Sequence, residues 1–306
     1  MTQKITQYIK VLNTNAALLG AVLMVIAGLI FAVINTLLQS LTMQFGQVSA
    51  SVVFWQYLIA LLFSLPWILR KLAAAKTSNL PLHILRVFFA AVGVQLWVVG
   101  LSYVPIWQAI ALIMTAPFFV TAGAHMVLRE KVGLERWLAV GFGFLGGMII
   151  LSPWSDEFGI ETLYPLAASF FWAMSSLTTK RLAWVEKPQT LTFYLLVLLT
   201  PINAILAFES GFVISEPTAI WMVVVAGILT ALAQYALAKA YTVADAAYLQ
   251  PFDHLKLPMN VLLGWLVFGF LPVGSMWLGS LIIIAASSYL LNAEMKRPAK
   301  VAVAAA

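Results

Sequence analysis

Residues able to carry charge or bond strongly crowd one short stretch of an otherwise apolar segment: Gln250, Asp253, His254, Lys256 and Asn260. Asp253, Lys256 and Asn260 are spaced i, i+3, i+7 and share one face of a helix. A carboxylate, an ammonium and an amide on one face can bind a polar solute. Asp253 or His254 can also take up and release a proton, since imidazole titrates near neutrality and burial raises a carboxyl group into that range. Two quieter arrangements fit the same spacing: a structural Asp253–Lys256 ion pair facing neighbouring helices, and a neutral His254 bonded to one. Pro251 and Pro258 flank the group. Each removes a backbone donor, so each is a candidate hinge or a packing kink, and Pro117 is the candidate in the first half of the chain.

Further polar and aromatic candidates stand in the middle of other apolar runs. They are Trp55 and Gln56, Gln95 and Trp97, Trp172 with Ser175 and Ser176, Gln234 with Tyr235, and Tyr248. Amides there can bond a polar solute or a neighbouring helix. Trp55, Trp97 and Trp172 can stack on a planar or cationic one, or simply pack. The candidate binding set is therefore Trp55, Gln56, Gln95, Trp97, Trp172, Ser175, Gln234, Tyr248, Gln250, Asp253, His254 and Lys256. Arg86 reads either as a cation reaching lipid phosphates or as a contact for an anionic group of a substrate. His83 reads as an interface residue, and His125 as a weaker candidate than His254. With no cysteine, no clustered metal ligands, no nucleotide-binding loop and no nucleophile triad, neither a metal nor a cofactor is expected, and ATP hydrolysis is excluded.

What positions these residues is a set of membrane spans. Of 306 residues 63% are hydrophobic and only 9% charged, where a soluble chain carries about 25% charged; so little charge cannot cover a water-facing surface. About 20 apolar residues cross the hydrocarbon core, and ten such runs are read at 16–39, 48–69, 82–103, 106–128, 134–152, 160–182, 190–208, 218–240, 246–270 and 273–292. The polar Met1–Lys10 lead does not read as a cleavable signal. No connection is long enough for a soluble catalytic domain. Nearly all of the 17 basic residues fall in alternate connections, the termini or adjoining span ends, from Lys4 and Lys10 through Arg70, Lys76, Arg129, Lys131 and Lys187 to Lys296. The remaining connections carry acids: Asp156, Glu157, Glu161, Glu209 and Glu216. The positive-inside rule then places both termini in the cytoplasm of a bacterial-type inner membrane. The net charge of +6 is a topology signal, and no nucleic-acid partner is expected.

The chain also matches itself at an offset of 140: Phe31 over Phe171, Ala91 over Ala231, Trp137-Leu138 over Trp277-Leu278. The halves, 1–152 and 153–306, each hold five spans. An odd number turns the second copy upside down, and inverted repeats set a site between the halves near the midplane. The stretch Tyr103-Val-Pro-Ile-Trp-Gln-Ala-Ile-Ala-Leu-Ile-Met-Thr-Ala-Pro117 leads to Leu128-Arg-Glu-Lys131. Its counterpart runs from Ala240 through Tyr248-Leu-Gln-Pro-Phe-Asp-His-Leu-Lys-Leu-Pro258 to Leu263-Gly-Trp-Leu-Val-Phe-Gly269.

Over nearly the whole chain this pattern resembles the drug/metabolite transporter superfamily in its ten-helix EamA-type branch. Phe270 stands where that family usually has a second-half acid; Glu130 keeps the first. The Pro-Phe-Asp stretch is similar to branches that carry metabolites, riboflavin and S-adenosylmethionine among them. The resemblance implies an all-α fold with the first four helices of each half around a cavity and the fifth and tenth outside it. It implies a secondary transporter of a small, amino-acid-like or planar cofactor-like metabolite, working by alternating access with proton coupling or exchange, as monomer or homodimer. A glycine-lined face on the fifth span (Gly143, Gly146, Gly147) can join helices within one chain or between two. The competing readings are a non-transporting membrane scaffold and an integral membrane enzyme acting on lipid-linked substrates.

Overall fold

A computed structural model describes residues 2–69, 77–129, 133–151, 159–253, 255–270 and 274–296. Among them the regular structure is helical: α1 (Thr2–Gln39), α2 (Ser49–Leu69), α3 (Leu80–Tyr103), α4 (Ile106–Ile113), α5 (Ala116–Met126), α6 (Leu134–Leu151), α7 (Leu163–Leu182), α8 (Pro188–Ala207), α9 (Pro217–Val243), α10 (Ala246–Asp253), α11 (Lys256–Phe268) and α12 (Gly274–Lys296). A π-helical turn over Ser40–Gln44 closes α1, and a 3-10 turn over Ile160–Thr162 opens α7.

Five of these helices are by themselves long and apolar enough to cross a membrane: α1 from Ala16, α2, α3, α8 and α9. Shorter apolar runs lie in α6, α11 and α12. Large apolar side chains cover the outside, including Phe88, Phe142, Leu206 and Leu281. Such a surface is stable against lipid and not against water. The chain is a polytopic, all-helical membrane protein. Prolines in the first turns of α3, α8 and α9 start helices where a missing N–H costs nothing. Gly269, at φ 69°, ends α11 with its N–H on Trp265 O at 3.0 Å, a left-handed cap that a side chain would strain.

Two spans are broken, and at repeat-related places. The fourth parts between α4 and α5 at Met114–Thr115, the ninth between the end of α10 at Asp253 and the start of α11 at Lys256. At each break a backbone N–H reaches only three residues back: Thr115 N to Leu112 O at 3.1 Å, and Leu255 N to Phe252 O at 3.2 Å. A proline inside a continuous helix loses a donor and clashes with the carbonyl four residues earlier. A restart just before Pro117 and Pro258 puts both into first turns, where N–H groups have no helical partner anyway. Thr115 Oγ1 donates to Leu112 O and meets Ser169 Oγ, each at 2.7 Å, tying the first break to α7.

The two halves interleave. α1 runs along α9 and α3 along α7, while α2 packs on α8 and α6 on α12. The repeat operation exchanges the first two pairings and carries each of the others into itself. Five spans per repeat force the second to enter the bilayer from the opposite side, so the operation is an in-plane two-fold. Gly143, Gly146 and Gly147 are buried on α6, which packs along α12, so the glycine-lined face joins helices within the chain.

Candidate functional site

Between the halves lies a cavity lined by α1–α5 and α7–α11, and by no described residue of α6 or α12. Both helix breaks border it, through Ile113 and Ala116 on one side and Asp253 and Lys256 on the other. Irregular backbone within a membrane is tolerated where it lines such a space. In span order, Arg86, Thr179 and Tyr241 sit toward the side of the basic connections, and Leu38 and Gln56 toward the acidic side.

A chain of hydrogen bonds crosses the cavity wall. The Trp97 indole N–H donates to Asn35 Oδ1 at 3.2 Å, and Asn35 Nδ2 donates to Asn260 Oδ1 at 3.2 Å. Asn260 Nδ2 donates to Lys256 O at 2.7 Å, and Lys256 Nζ to Asp253 Oδ2 at 2.6 Å. Four elements, α3, α1, α11 and α10, are thus joined at the second break. Above this network Trp97 and Trp172 face one another with ring centroids 5.6 Å apart and planes tilted by 49°. Gly93 makes room for the pair: a Cβ there would lie 2.5 Å from Trp172 Cδ1.

Seven of the twelve residues in the candidate binding set line the cavity, Gln56, Trp97, Trp172, Ser175, Gln234, Asp253 and Lys256, and so does Ser176. Trp55 does not. Its indole donates to Phe212 O at 2.8 Å, because one residue from Gln56 is a rotation of about 100° round the helix. Gln95 is turned to the outer groove between α3 and α8, where it donates to Asn203 Oδ1 at 3.0 Å. Tyr248 packs on Phe252, centroids 5.3 Å apart, in the cluster under α1 and α5. His254 lies outside the described residues, as do the side chains of Gln250, Pro251 and Pro117. Pro258 is exposed on α11, away from the cavity.

The cavity also holds residues not singled out by the sequence, among them Asn35, Tyr57, Phe31 and Tyr241. Arg86 corrects the reading that it reaches lipid phosphates. It is 3% exposed, lines the cavity and donates from Nη1 to Leu191 O at 2.8 Å. His83, in the first turn of α3, is fully buried against protein: it bonds Glu186 Oε2 at 3.0 Å and stacks on Tyr194 at 4.4 Å. Two buried atoms of cavity-lining residues lack a protein partner, Gln56 Oε1 and Arg86 Nε. An unpaired buried polar atom costs about 1–3 kcal/mol, which a bound polar solute would recover.

Contacts between the halves tie the connections together on both sides, forming two rims. On the acidic side Gln47 Nε2 donates to Ser215 Oγ at 3.0 Å, and the Ser51 and Ser210 hydroxyls meet at 2.8 Å. On the basic side Glu186 accepts from Thr77 and, at 3.4 Å, from Asn79 Nδ2, besides His83. One rim joins the α1–α2 and α8–α9 connections, the other the α7–α8 and α2–α3 connections. The repeat operation maps each rim onto the other.

A broken span in each repeat, a largely apolar cavity between them that carries a few polar and charged groups, and two related rims form the architecture of a membrane carrier. The EamA-like transporter family model matches twice, over residues 18–152 and 159–292. The chain belongs to the EamA-like transporter family. It is 51% identical over 94% of its length, and 95% of the relative's, to a riboflavin transporter of Rhizobium johnstonii. It is 48% identical to a riboflavin transporter of Vibrio cholerae, covering 91% of this chain and 94% of that one. An S-adenosylmethionine uptake transporter of Rickettsia bellii is 26% identical over 82% of this chain and 87% of its own. A solved crystal structure shares the fold, with a TM-score of 0.69 over 93% of this chain and 99% of its own at 16% identity. This EamA-like protein is a transporter of small metabolites and not an enzyme.

Proposed function

We propose that the chain carries riboflavin across the bacterial inner membrane by alternating access, with both termini in the cytoplasm. The observation that carries this reading is the Trp97–Trp172 pair over the Asn35–Asn260–Lys256–Asp253 network. A flat aromatic ring system with polar edges fits between indoles and a row of bonding groups. The names of relatives near 50% identity support the same solute, and the alternation of basic and acidic connections supports the orientation. The two rims supply the two gates: loosening one while the other holds opens the cavity to one face at a time. Asp253 and Lys256 bind the solute, and Asp253 and His254 are the candidate proton-coupling groups. Pro117, Pro251 and Pro258 mark the hinges, beside the breaks. The cavity is built within one chain, so a single chain is the transporting unit.

The test is transport of labelled riboflavin into proteoliposomes holding the purified protein, with S-adenosylmethionine as the comparison solute and with or without a pH gradient. Saturable riboflavin uptake that Trp172→Ala reduces at least about tenfold supports the reading. Uptake of S-adenosylmethionine but not riboflavin would overturn it.

A further inference from the structure

The repeat offset aligns the walls of the two broken spans residue by residue. Ile110 falls on Gln250, Ile113 on Asp253, Ala116 on Lys256 and Val120 on Asn260. Ile110, Ile113, Ala116 and Val120 all line the cavity, as do Asp253 and Lys256. Asn260 stands directly behind Lys256, holding its carbonyl. One scaffold position is therefore hydrocarbon in the first repeat and charged or amide in the second. The two broken spans pack on one another, α4 on α11 and α5 on α10, so the hydrocarbon wall and the charged wall lie side by side along the cavity. Backbone geometry is shared, so the difference lies in the side chains alone.

Resting on the riboflavin reading, we infer that this asymmetry fixes which way round the flavin sits. The dimethyl-substituted hydrocarbon edge of the ring lies on the α4–α5 wall, and the imide edge faces Asp253 and Lys256 on α10–α11. The chemistry of each edge meets its complement. The imide edge presents an N–H between two carbonyls. Asp253 gives Oδ2 to Lys256, and Oδ1 is the acceptor for that N–H. The Lys256 ammonium is a cationic donor for a carbonyl oxygen beside it. The opposite edge has no bonding group, and an Ile–Ala–Val wall offers none. The reversed pose would bury an imide against hydrocarbon, leaving its N–H unpaired, and would strip the Asp253–Lys256 pair of water for two methyl groups.

A variant-by-analogue cycle tests the pose through binding, read from quenching of flavin fluorescence by the purified protein. The analogues are riboflavin lacking both ring methyl groups and riboflavin methylated on the imide nitrogen. The wild-type protein should bind each about tenfold more weakly than riboflavin. In Ile113→Ala the penalty for missing methyls should fall to about twofold while the imide-methyl penalty stays; in Asp253→Asn the reverse should hold. Ile113→Ala alone decides the matter if Asp253→Asn binds too weakly to measure. Penalties that stay the same in both variants, or that swap walls, overturn the pose while leaving riboflavin as the solute. Absence of any riboflavin binding by the wild-type protein overturns the pose together with the reading beneath it.

Discussion

Asn35 and Asn260, 225 positions apart, hydrogen-bond at 3.2 Å between α1 and α11, and both are buried. Asn35 donates its Nδ2 to Asn260 Oδ1 and, through its own Oδ1, receives the Trp97 indole. Asn260 in turn holds the Lys256 carbonyl. The aromatic and charged parts of the cavity are therefore positioned by a single amide pair between the two repeats.

Asn260→Leu should lower stability by about 1–3 kcal/mol, because Asn35 Nδ2 and the Lys256 carbonyl lose their partner together. Thermal unfolding in detergent measures this. Riboflavin binding should weaken as well, since Trp97 loses the orientation that Asn35 imposes. An unchanged melting temperature with unchanged affinity would show that the amide pair positions nothing.

Gly93→Ala should impair transport without preventing insertion. Its Cβ would lie 2.5 Å from Trp172 Cδ1 and 2.7 Å from Nε1, so the indole must shift. Overpacking of this kind costs about 1–3 kcal/mol, and a tenfold fall in transport rate at equal protein level is the expected size. The double variant with Trp172→Leu should be no worse than Trp172→Leu alone. Additive losses would place the effect of Gly93 elsewhere.

Much of this organisation is legible in the sequence. Hydropathy runs and the alternation of basic and acidic connections give the spans, because lipid imposes one length and one charge asymmetry on every helix. Pro117 and Pro258 forecast interrupted spans, since interior prolines are costly unless a helix restarts beside them. Asn35 gives no such signal: one amide in an apolar run acquires meaning only from a partner 225 residues away. Arg86, one turn from a basic connection, has the same local sequence whether it points to lipid phosphates or inward. Trp55 is deep and aromatic, yet neighbouring positions on a helix face different ways, and Gln56 took the cavity side.

Glu186→Ala and Gln47→Ala should act on opposite rims. Glu186 bonds Thr77, Asn79 and His83, so its loss loosens the basic-side rim and leaves three groups unmatched. Gln47 bonds the Ser215 hydroxyl at 3.0 Å and accepts from its N–H at 3.1 Å, so its loss loosens the acidic-side rim. Each variant should slow transport while shifting protease or label accessibility toward its own face. The same shift from both would contradict the two-rim account.

Lys180→Met should destabilise without changing the solute carried. Lys180 is 7% exposed and donates to Tyr241 O at 3.2 Å and Ala244 O at 2.7 Å. These carbonyls belong to the open C-terminal end of α9, where a cation is favoured by the helix dipole. A loss of about 1–3 kcal/mol is expected for hydrogen bonds to a charged donor, measured by thermal unfolding, with the ratio of riboflavin to analogue binding unchanged. A changed ratio would move Lys180 into the binding site.

The chain has no cysteine, so one placed at Ser176, on the cavity wall, reports the cavity alone. The most direct measurement is its labelling by an impermeant thiol reagent added to either face of oriented vesicles, with Glu186→Ala or Gln47→Ala in the background. Labelling from the basic side in the first background and from the acidic side in the second, with riboflavin protecting in both, is the result predicted for a central site reached from one face at a time. Labelling from the same face in both backgrounds, or labelling that riboflavin leaves untouched, would contradict it.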